Sequence, residues 1–382
     1  MAGSALSRLV HRAIAGLEGD LDQIRELVRD PDAAPGKVRL LAYAGYRNER
    51  LARLKGRIVR YGEPLDADGG LLVRLKAMLD IYNSQELPGV EVRLEGYGQT
   101  LSAVTDEEGY FDFELPVGRP LPETTRWEQV TLSTPGREAQ KQRIEVPVMA
   151  PGADRNWGII SDIDDTVIET GATDLIGNWR RVLIERPSDR LAVPGASTLY
   201  KMIARDHAAP ARAFFYVSSS PWNLYGFIAE FMELNAIPHG PMFLQDYGVD
   251  AAKLISAHHD HHKLAAIRSI LAFYPGFRFL LIGDNGQRDV TIYAKVVAEF
   301  GSRVAAVFIR DVDGSCRSGE EGALLRTIEG QGVRTYCGAG FDDALEVVKA
   351  LDLDRPVEAA KAISETGESP APSSETATDP TP

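Results

Sequence analysis

Three carboxylates and a hydroxyl fall within five residues at the end of an apolar run, in Gly158-Ile-Ile-Ser-Asp162-Ile-Asp164-Asp165-Thr166. Burying so many acids is expensive unless a cation joins them. Asp162 and Asp164 lie two apart, and where a strand ends the chain must turn for both to face one reacting phosphoryl group. One carboxylate can then attack as nucleophile, splitting a hard displacement into two easier ones. The other can protonate the leaving oxygen and later activate water. Three more stretches carry chemistry. Phe214-Phe-Tyr-Val-Ser218 is an apolar run ending in a hydroxyl, with Ser219 and Ser220 behind it. Lys263 opens a helical pattern, placing positive charge near a helix N-terminus, where anions are favoured. Phe279-Leu-Leu-Ile-Gly-Asp284-Asn-Gly-Gln-Arg-Asp289 is an apolar run ending in two acids.

The order of these four elements resembles the haloacid dehalogenase superfamily, whose phosphatases open with Asp-x-Asp-x-Thr after an apolar strand. The resemblance implies a haloacid-dehalogenase-like three-layer α/β/α domain with a parallel sheet. It implies Asp162 as nucleophile, Asp164 as general acid/base and Lys263 as the catalytic cation. Ser218 would hydrogen-bond the transferring phosphoryl, with Ser219 or Ser220 as alternatives for that contact. Thr166 belongs to the family pattern and would either support the loop or touch substrate; Asp165 reads as a cap. Mg²⁺ would be held by the Asp162 carboxylate, the Asp164 main-chain oxygen and Asp284, with Asp289 holding either Lys263 or a metal-bound water.

A finer resemblance covers about 157 to 311. Ser-Asp-Ile-Asp-Asp-Thr at 161–166, Tyr-Val-Ser-Ser-Ser-Pro-Trp at 216–222, His262-Lys263, and Ile-Gly-Asp-Asn-Gly-Gln-Arg-Asp at 282–289 followed by Tyr293 are similar to the phosphatidate phosphatases first described with actin-patch components. This implies hydrolysis of phosphatidate to diacylglycerol and phosphate with Mg²⁺. The same four elements would serve a phosphatase of a soluble phosphate ester, and a non-catalytic scaffold is the reading from a different class.

The elements that must position these residues follow from periodicity. Apolar runs at Gly158 to Ile160, Ala213 to Val217, Phe279 to Ile282 and Val304 to Ile309 read as buried strands. They alternate with helical patterns at Leu199, Met202, Ile203; at Leu224, Phe227, Ile228, Phe231; at Leu264, Ile267, Leu271; and at Tyr293, Val296, Val297, Phe300. Such alternation predicts a parallel sheet covered by helices over 151–353, with ligands at the carboxyl ends of its strands. Over 36–150 short runs alternate in period two, as in Val90, Val92 and Leu94, and predict a small all-β sandwich. Val104-Thr-Asp-Glu-Glu-Gly-Tyr-Phe-Asp-Phe within it resembles transthyretin-like and carboxypeptidase-regulatory-like modules. The β-rich part also looks like the region that accompanies the resembled catalytic domain in bacterial members. Residues 1–35 predict an N-terminal amphipathic helix, and 354–382 have the composition of a disordered tail.

Between the first two elements, Leu175, Ile176, Trp179, Val182, Leu183 and Ile184 stand beside Arg180, Arg181, Arg186 and Arg190. Such a patch would suit either peripheral contact with anionic headgroups or a cap packed over the site. His258 and His262, if helical, share a face and invite a metal reading, although the family pattern already accounts for His262-Lys263.

The net charge of −13 over 382 residues argues against nucleic acid as the main partner and for a local, metal-assisted site for an anionic substrate. Two cysteines, Cys316 and Cys337, are too sparse for a disulfide scaffold and point to a reducing compartment. No run approaches the roughly 18 to 20 apolar residues of a membrane span, and no apolar signal core opens the chain, so the expected location is cytoplasmic or peripheral at membranes.

Overall fold

The computed structural model describes residues 37–61, 85–135, 142–153, 156–168, 193–204, 212–245 and 255–351. The helix expected over 1–35, the tail 354–382 and the arginine-rich patch from Leu175 to Arg190 lie outside the described residues. Among the described residues no helix is long and apolar enough to cross a membrane.

Strands β1 (Lys37–Ala42), β2 (Gly45–Arg47), β3 (Leu51–Tyr61), β4 (Gln85–Glu86), β5 (Glu91–Gly96), β6 (Gln99–Val104), β7 (Tyr110–Pro116), β8 (Arg126–Ser133) and β9 (Arg143–Ala150) form the N-terminal part. They join one mixed sheet in the order β1-β3-β2-β9-β8-β5-β6, with β4 and β7 also paired to β3. Strand β2 runs parallel to β9, and the other pairs are antiparallel. The period-two residues face one core, with Leu54, Ile58, Val92, Leu94, Phe111, Phe113, Val130, Leu132 and Val146 buried together.

This is a single curled half-barrel and not the two-sheet sandwich that the strand pattern predicts. Residues 105–109 join β6, at one edge, to β7, beyond β3, and a link of five residues reaches at most about 17 Å. The sheet must therefore curl until those regions approach, and its own concave face buries what a second sheet would have buried. Alternation reports that one face is covered; it does not report by what.

The C-terminal part has a six-stranded sheet of β10 (Trp157–Ser161), β11 (Ala213–Pro221), β12 (Met242–Gln245), β13 (Arg278–Asp284), β14 (Val304–Arg310) and β15 (Arg334–Gly338). All neighbours are parallel, in the order β12-β11-β10-β13-β14-β15. Helices α1 (Ala196–Ala204), α2 (Tyr225–Leu234), α3 (Ile255–Phe273), α4 (Asp289–Phe300), α5 (Gly319–Gly330) and α6 (Ala344–Ala350) accompany it. Alternate strand residues point to opposite faces. Ile159, Phe214, Tyr216, Leu280, Ile282 and Phe308 pack with α1, α2 and α6; Ile160, Phe215, Leu281, Val307 and Ile309 pack with α3, α4 and α5. Strand order reverses direction at β10 and β13, whose carboxyl ends carry Asp162 and Asp284. That crevice is where parallel α/β sheets bind ligands.

Two differences from the sequence reading concern short or partly buried elements. Strands β12 and β15 and helices α5 and α6 escape the periodicity argument. Cys316 and Cys337, read as the sparse cysteines of a reducing compartment, are joined in a disulfide. They meet because β15, carrying Cys337, pairs with β14, whose following loop carries Cys316, a proximity that spacing alone does not reveal.

The half-barrel is fused to the α/β part by aromatic packing. The ring of Tyr43 stacks on Trp222 at 4.2 Å between centroids, and the hydroxyl of Tyr225 accepts the Ala44 amide at 2.9 Å. Tyr46 sits among Phe215, Phe243, Phe273 and Tyr274. Arg47, 1% exposed, pairs with Glu128 through two hydrogen bonds of 2.8 and 2.9 Å, and its carbonyl accepts the Tyr274 hydroxyl. Replacing Tyr43 with Ala removes a buried aromatic that no neighbour can refill, and should cost about 3 kcal/mol of stability in urea unfolding. A loss below about 1 kcal/mol would mean that the two parts do not depend on this contact.

Candidate active site

Strand β10 delivers its acids through a turn set by backbone geometry. Asp165 adopts φ +56°, a left-handed conformation that Asp tolerates better than most residues. The Asp165 amide donates to the Ile168 carbonyl at 2.7 Å, and the Ile168 amide returns to Ile163 at 3.0 Å. This turn brings Asp162 and Asp164, both buried, to one end of the sheet. Arg310, from the end of β14, donates to the Asp165 carbonyl at 2.7 Å and braces the turn from across the crevice.

Lys263 reaches the site from α3. Its ammonium lies 2.7 Å from Asp162 Oδ1 and donates to Asp289 Oδ1 at 2.8 Å. Burial works against the charge, but Asp162, Asp289 and Asp284 outweigh it and hold the Lys263 pKa above its usual range. Asp289 begins α4, and its second oxygen accepts the Asp284 amide at 3.3 Å. Gly283 permits that approach, because a Cβ there would collide with the Asp289 carboxylate and the Tyr293 hydroxyl. Of the two roles open for Asp289, the contact present is the one with Lys263.

Asp284 ends β13, and its Oδ1 accepts the amides of Gly286 at 2.5 Å and Gln287 at 2.9 Å. Thr166 points its hydroxyl at Asp284 Oδ2 across 3.5 Å, so its contact is with the loop of the second acid motif. Asp164 is gripped by two hydroxyls. Ser218 donates to its Oδ2 at 2.5 Å, and Ser220 lies 3.1 and 2.9 Å from its two oxygens. The two clamping hydroxyls stand two residues apart on the strand, as same-face positions do, and Ser219 between them in sequence is buried. Ser161 bonds the Asp162 carbonyl at 2.6 Å and the Tyr200 hydroxyl at 2.6 Å, fixing the backbone beneath Asp162.

The carboxylates of Asp162, Asp284 and Asp289 converge, with ligand oxygens within 4.8 Å of one another. Burial is the main force raising the Asp162 pKa well above the ordinary carboxylate range; Lys263 opposes it, and Asp289, Asp284 and Asp164 add to it. Burial and Asp289 push Asp284 up to about 8. Asp162 Oδ2 is buried with no hydrogen-bond donor among the described residues. A hard cation fits this set: all donors are oxygen, they face one another, and Asp162 Oδ2 has no donor among the described residues. His258 to His262 lie on α3, and the side chains of His258 and His259, on which the histidine metal reading depends, lie outside the described residues. His262 Nε2 stands 3.4 Å from the Phe243 carbonyl.

Sequence reasoning picked out the acids and Lys263 by type and position. It did not distinguish Ser220 from Ser219, and it missed Gln287 and Arg310, whose contacts depend on loops folding back across the crevice. The motif Gly-Asp-Asn-Gly-Gln-Arg-Asp contained Gln287 in plain view, without a signal of direction.

Residues 157–311 match the family model described as the phosphatidate phosphatase APP1 catalytic domain. All the residues assembled above from β10, α3, β11, β13 and the start of α4 fall inside that match. The chain is 32% identical over 154 residues to phosphatidate phosphatase APP1 of Saccharomyces cerevisiae, covering 40% of this chain and 25% of that protein. It is 30% identical over 220 residues to an uncharacterized protein of Schizosaccharomyces pombe, covering 55% of this chain and 34% of the relative. The chain thus spans a quarter to a third of the length of these relatives. Among solved structures, a carbohydrate acetylesterase from Xanthomonas citri overlaps 77% of this chain and 66% of its own at 10% identity with a TM-score of 0.30, a level that carries no argument.

Carboxylates whose pKa is raised by folding leave stability intact below their ordinary value near 4 and remove it as pH climbs through the raised values. A divalent cation binding among them would offset that loss. Mg²⁺ should therefore raise the melting temperature clearly at pH 8 and hardly at all at pH 4.5, followed by circular dichroism. Equal shifts at both pH values would show that the ion does not act through these acids.

Proposed function

We propose that this chain is a Mg²⁺-dependent phosphomonoesterase of the haloacid dehalogenase type, and that its substrate is phosphatidate, hydrolysed to diacylglycerol and phosphate. The observation that carries the chemistry is the pairing of Asp162 with Lys263 at 2.7 Å while Asp162 Oδ2 has no donor among the described residues, beside an Asp164 held by Ser218 and Ser220. What supports the lipid is the match of 157–311 to the phosphatidate phosphatase APP1 catalytic domain.

Asp162 Oδ2 attacks phosphorus in line with the ester oxygen. The P–O bond to the leaving alkoxide breaks, and Asp164 supplies that oxygen with a proton, leaving phosphate esterified to Asp162. Asp164, now anionic, takes a proton from water, whose oxygen attacks phosphorus and releases phosphate from Asp162. Burial prepares Asp164 for the first role by raising its pKa, and the Ser218 and Ser220 hydroxyls limit that rise so that the second role stays available. Lys263 neutralises Asp162 and the phosphoryl charge, and Asp289 keeps the ammonium in place. Mg²⁺ would be held by Asp162, Asp284 and the Asp164 main-chain oxygen, and when bound it supplies further charge neutralisation at the phosphoryl oxygens. In this reading Ser218, Ser219 and Thr166, all buried near the two motif aspartates, would contact those oxygens. A peripheral approach to a membrane completes this reading, since the substrate resides in one.

Phosphate release from phosphatidate in mixed micelles, run beside glycerol phosphate, sugar phosphates and an aryl phosphate, tests the assignment. Activity that depends on Mg²⁺, prefers phosphatidate and falls at least about 10³-fold in both Asp162→Asn and Asp164→Asn is the expected result. Turnover of soluble esters alone would keep the chemistry and discard the lipid; full activity in either variant would remove the mechanism. Ser220→Ala deletes a hydrogen bond to the charged form of Asp164, so the Asp164 pKa rises further. The alkaline limb of kcat/KM, which reports loss of the acid's proton, should move to higher pH. A limb that stays in place or moves down would mean that Asp164 is not the acid.

A further inference from the structure

Arg310 holds both acid-bearing turns at once, one with its main chain and one with its side chain. It ends β14 opposite Asp284, the last residue of β13, and its carbonyl accepts the Asn285 amide at 3.1 Å, which fixes the start of the loop after Asp284. Its guanidinium crosses to the other turn, where Nη1 donates to the Asp165 carbonyl at 2.7 Å, while Nε lies 3.4 Å from the Ala339 carbonyl. A guanidinium is always charged and donates in a fixed plane, so a contact this short is a strong and directed hold.

The turn that it reaches needs holding. Asp165 is left-handed at φ +56°, a conformation that persists in a residue with a side chain only where the surroundings impose it. Inside the turn the Ile163 carbonyl accepts the amides of Thr166, Val167 and Ile168 at 3.4, 2.8 and 3.0 Å. These bonds close the turn on itself and do not set its tilt relative to the sheet. That tilt decides where Asp164 carries its carboxyl group, because Asp164 lies between the strand end and the left-handed residue. Two side chains from outside grip successive carbonyls there: Gln287 donates to that of Asp164 at 3.2 Å, and Arg310 to that of Asp165. Of the two, Arg310 has the charged donor and stands at the end of a buried strand.

We propose that Arg310 is a positioning residue for the general acid: by holding the Asp165 carbonyl it aims the Asp164 carboxyl group at the leaving oxygen, and by holding Asn285 it keeps that aim in register with Asp284. The proposal rests on the reading of Asp164 as general acid given above. Arg310 acts through Asp164 and needs no contact with the phosphoryl group. The leaving atom separates this role from a general loss of structure. When the P–O bond of an alkyl ester breaks, the alkoxide is a poor leaving group and takes the Asp164 proton. When sulfur replaces that bridging oxygen, the P–S bond breaks to a thiolate, which is stable near neutral pH and needs no proton. A misaimed acid therefore slows the oxygen ester and spares the sulfur analogue, whereas a disturbed nucleophile, cation site or fold slows both.

Arg310→Met removes the guanidinium and leaves the main-chain contact with Asn285. The full chain and the variant are compared by kcat/KM on the alkyl phosphate that the unaltered chain hydrolyses best, among phosphatidate, glycerol phosphate and sugar phosphates, and on the bridging-sulfur analogue of that ester. The expected result is a fall of about 30-fold on the oxygen ester, a part of the roughly 10²-fold or more that a general acid contributes, and of less than about threefold on the sulfur analogue. Asp164→Asn, run alongside, should show the same selectivity more strongly. If circular dichroism shows the Met chain unfolded, Arg310→Lys takes its place, since it keeps the charge and shortens the reach, and the same selective loss is expected. Equal losses on the two substrates, or no loss on either, overturn the positioning role and leave Asp164 standing as the acid. Equal losses in Asp164→Asn, or no turnover by the unaltered chain, overturn the reading of Asp164 and this inference with it.

Discussion

Everything near the crevice depends on burying three carboxylates against one ammonium. Asp162, Asp284 and Asp289 converge on a space that only Lys263 neutralises among the described residues, leaving two formal negative charges if all are ionised. An apolar core could not be built around that imbalance without compensation. The structure supplies part of it through directed donors: the Gly286 and Gln287 amides on Asp284, the Asp284 amide on Asp289, and the hydroxyls of Ser218 and Ser220 on Asp164. Asp162 Oδ2 is left without a hydrogen-bond donor among the described residues.

The loops that make these contacts are held by one another. Asn285, next to Asp284, donates toward Asp311, Asp313, Ser315 and Glu321 and accepts the Val312 amide at 2.7 Å, so the loop after β13 is locked to the loop after β14. Arg310, where that second loop begins, reaches the Asp165 carbonyl. The disulfide from Cys316 ties the same loop to β15. Strand β14 contributes no acid to the carboxylate set, yet its carboxyl end fixes the two turns that do. The half-barrel acts on the opposite flank. Tyr43 stacks on Trp222, two residues beyond Ser220, and Lys55 lies over the rings of Trp222 and Tyr110. The accessory part thus buttresses the hydroxyl-bearing strand end, and its Tyr43 and Tyr110 are buried in one core with residues of the α/β part.

Much of this was legible before any coordinates. Apolar runs of four to six residues ending in Asp or Ser are strands that deliver polar groups to one edge of a sheet, because a parallel strand is buried on both faces and can afford polarity only where it ends. Asp162, Asp164, Ser218 and Asp284 were found on that logic, and Lys263 from its place at a helical pattern. Strand content over 36–150 followed from period two, but alternation only says that one face is covered. It cannot say whether the cover is a second sheet or the same sheet curled back.

By itself the sequence determined which residues would be buried, which strands would end in acids, and that those acids needed positive charge, since composition and periodicity are local properties of the chain. Only tertiary structure decided which acid meets Lys263, that Ser220 joins Ser218 on Asp164, that Gln287 turns onto the Asp164 carbonyl, and that Cys316 finds Cys337. Each of those contacts joins positions 21 to 123 residues apart, and its geometry is set by strand order and loop direction, which no local pattern encodes.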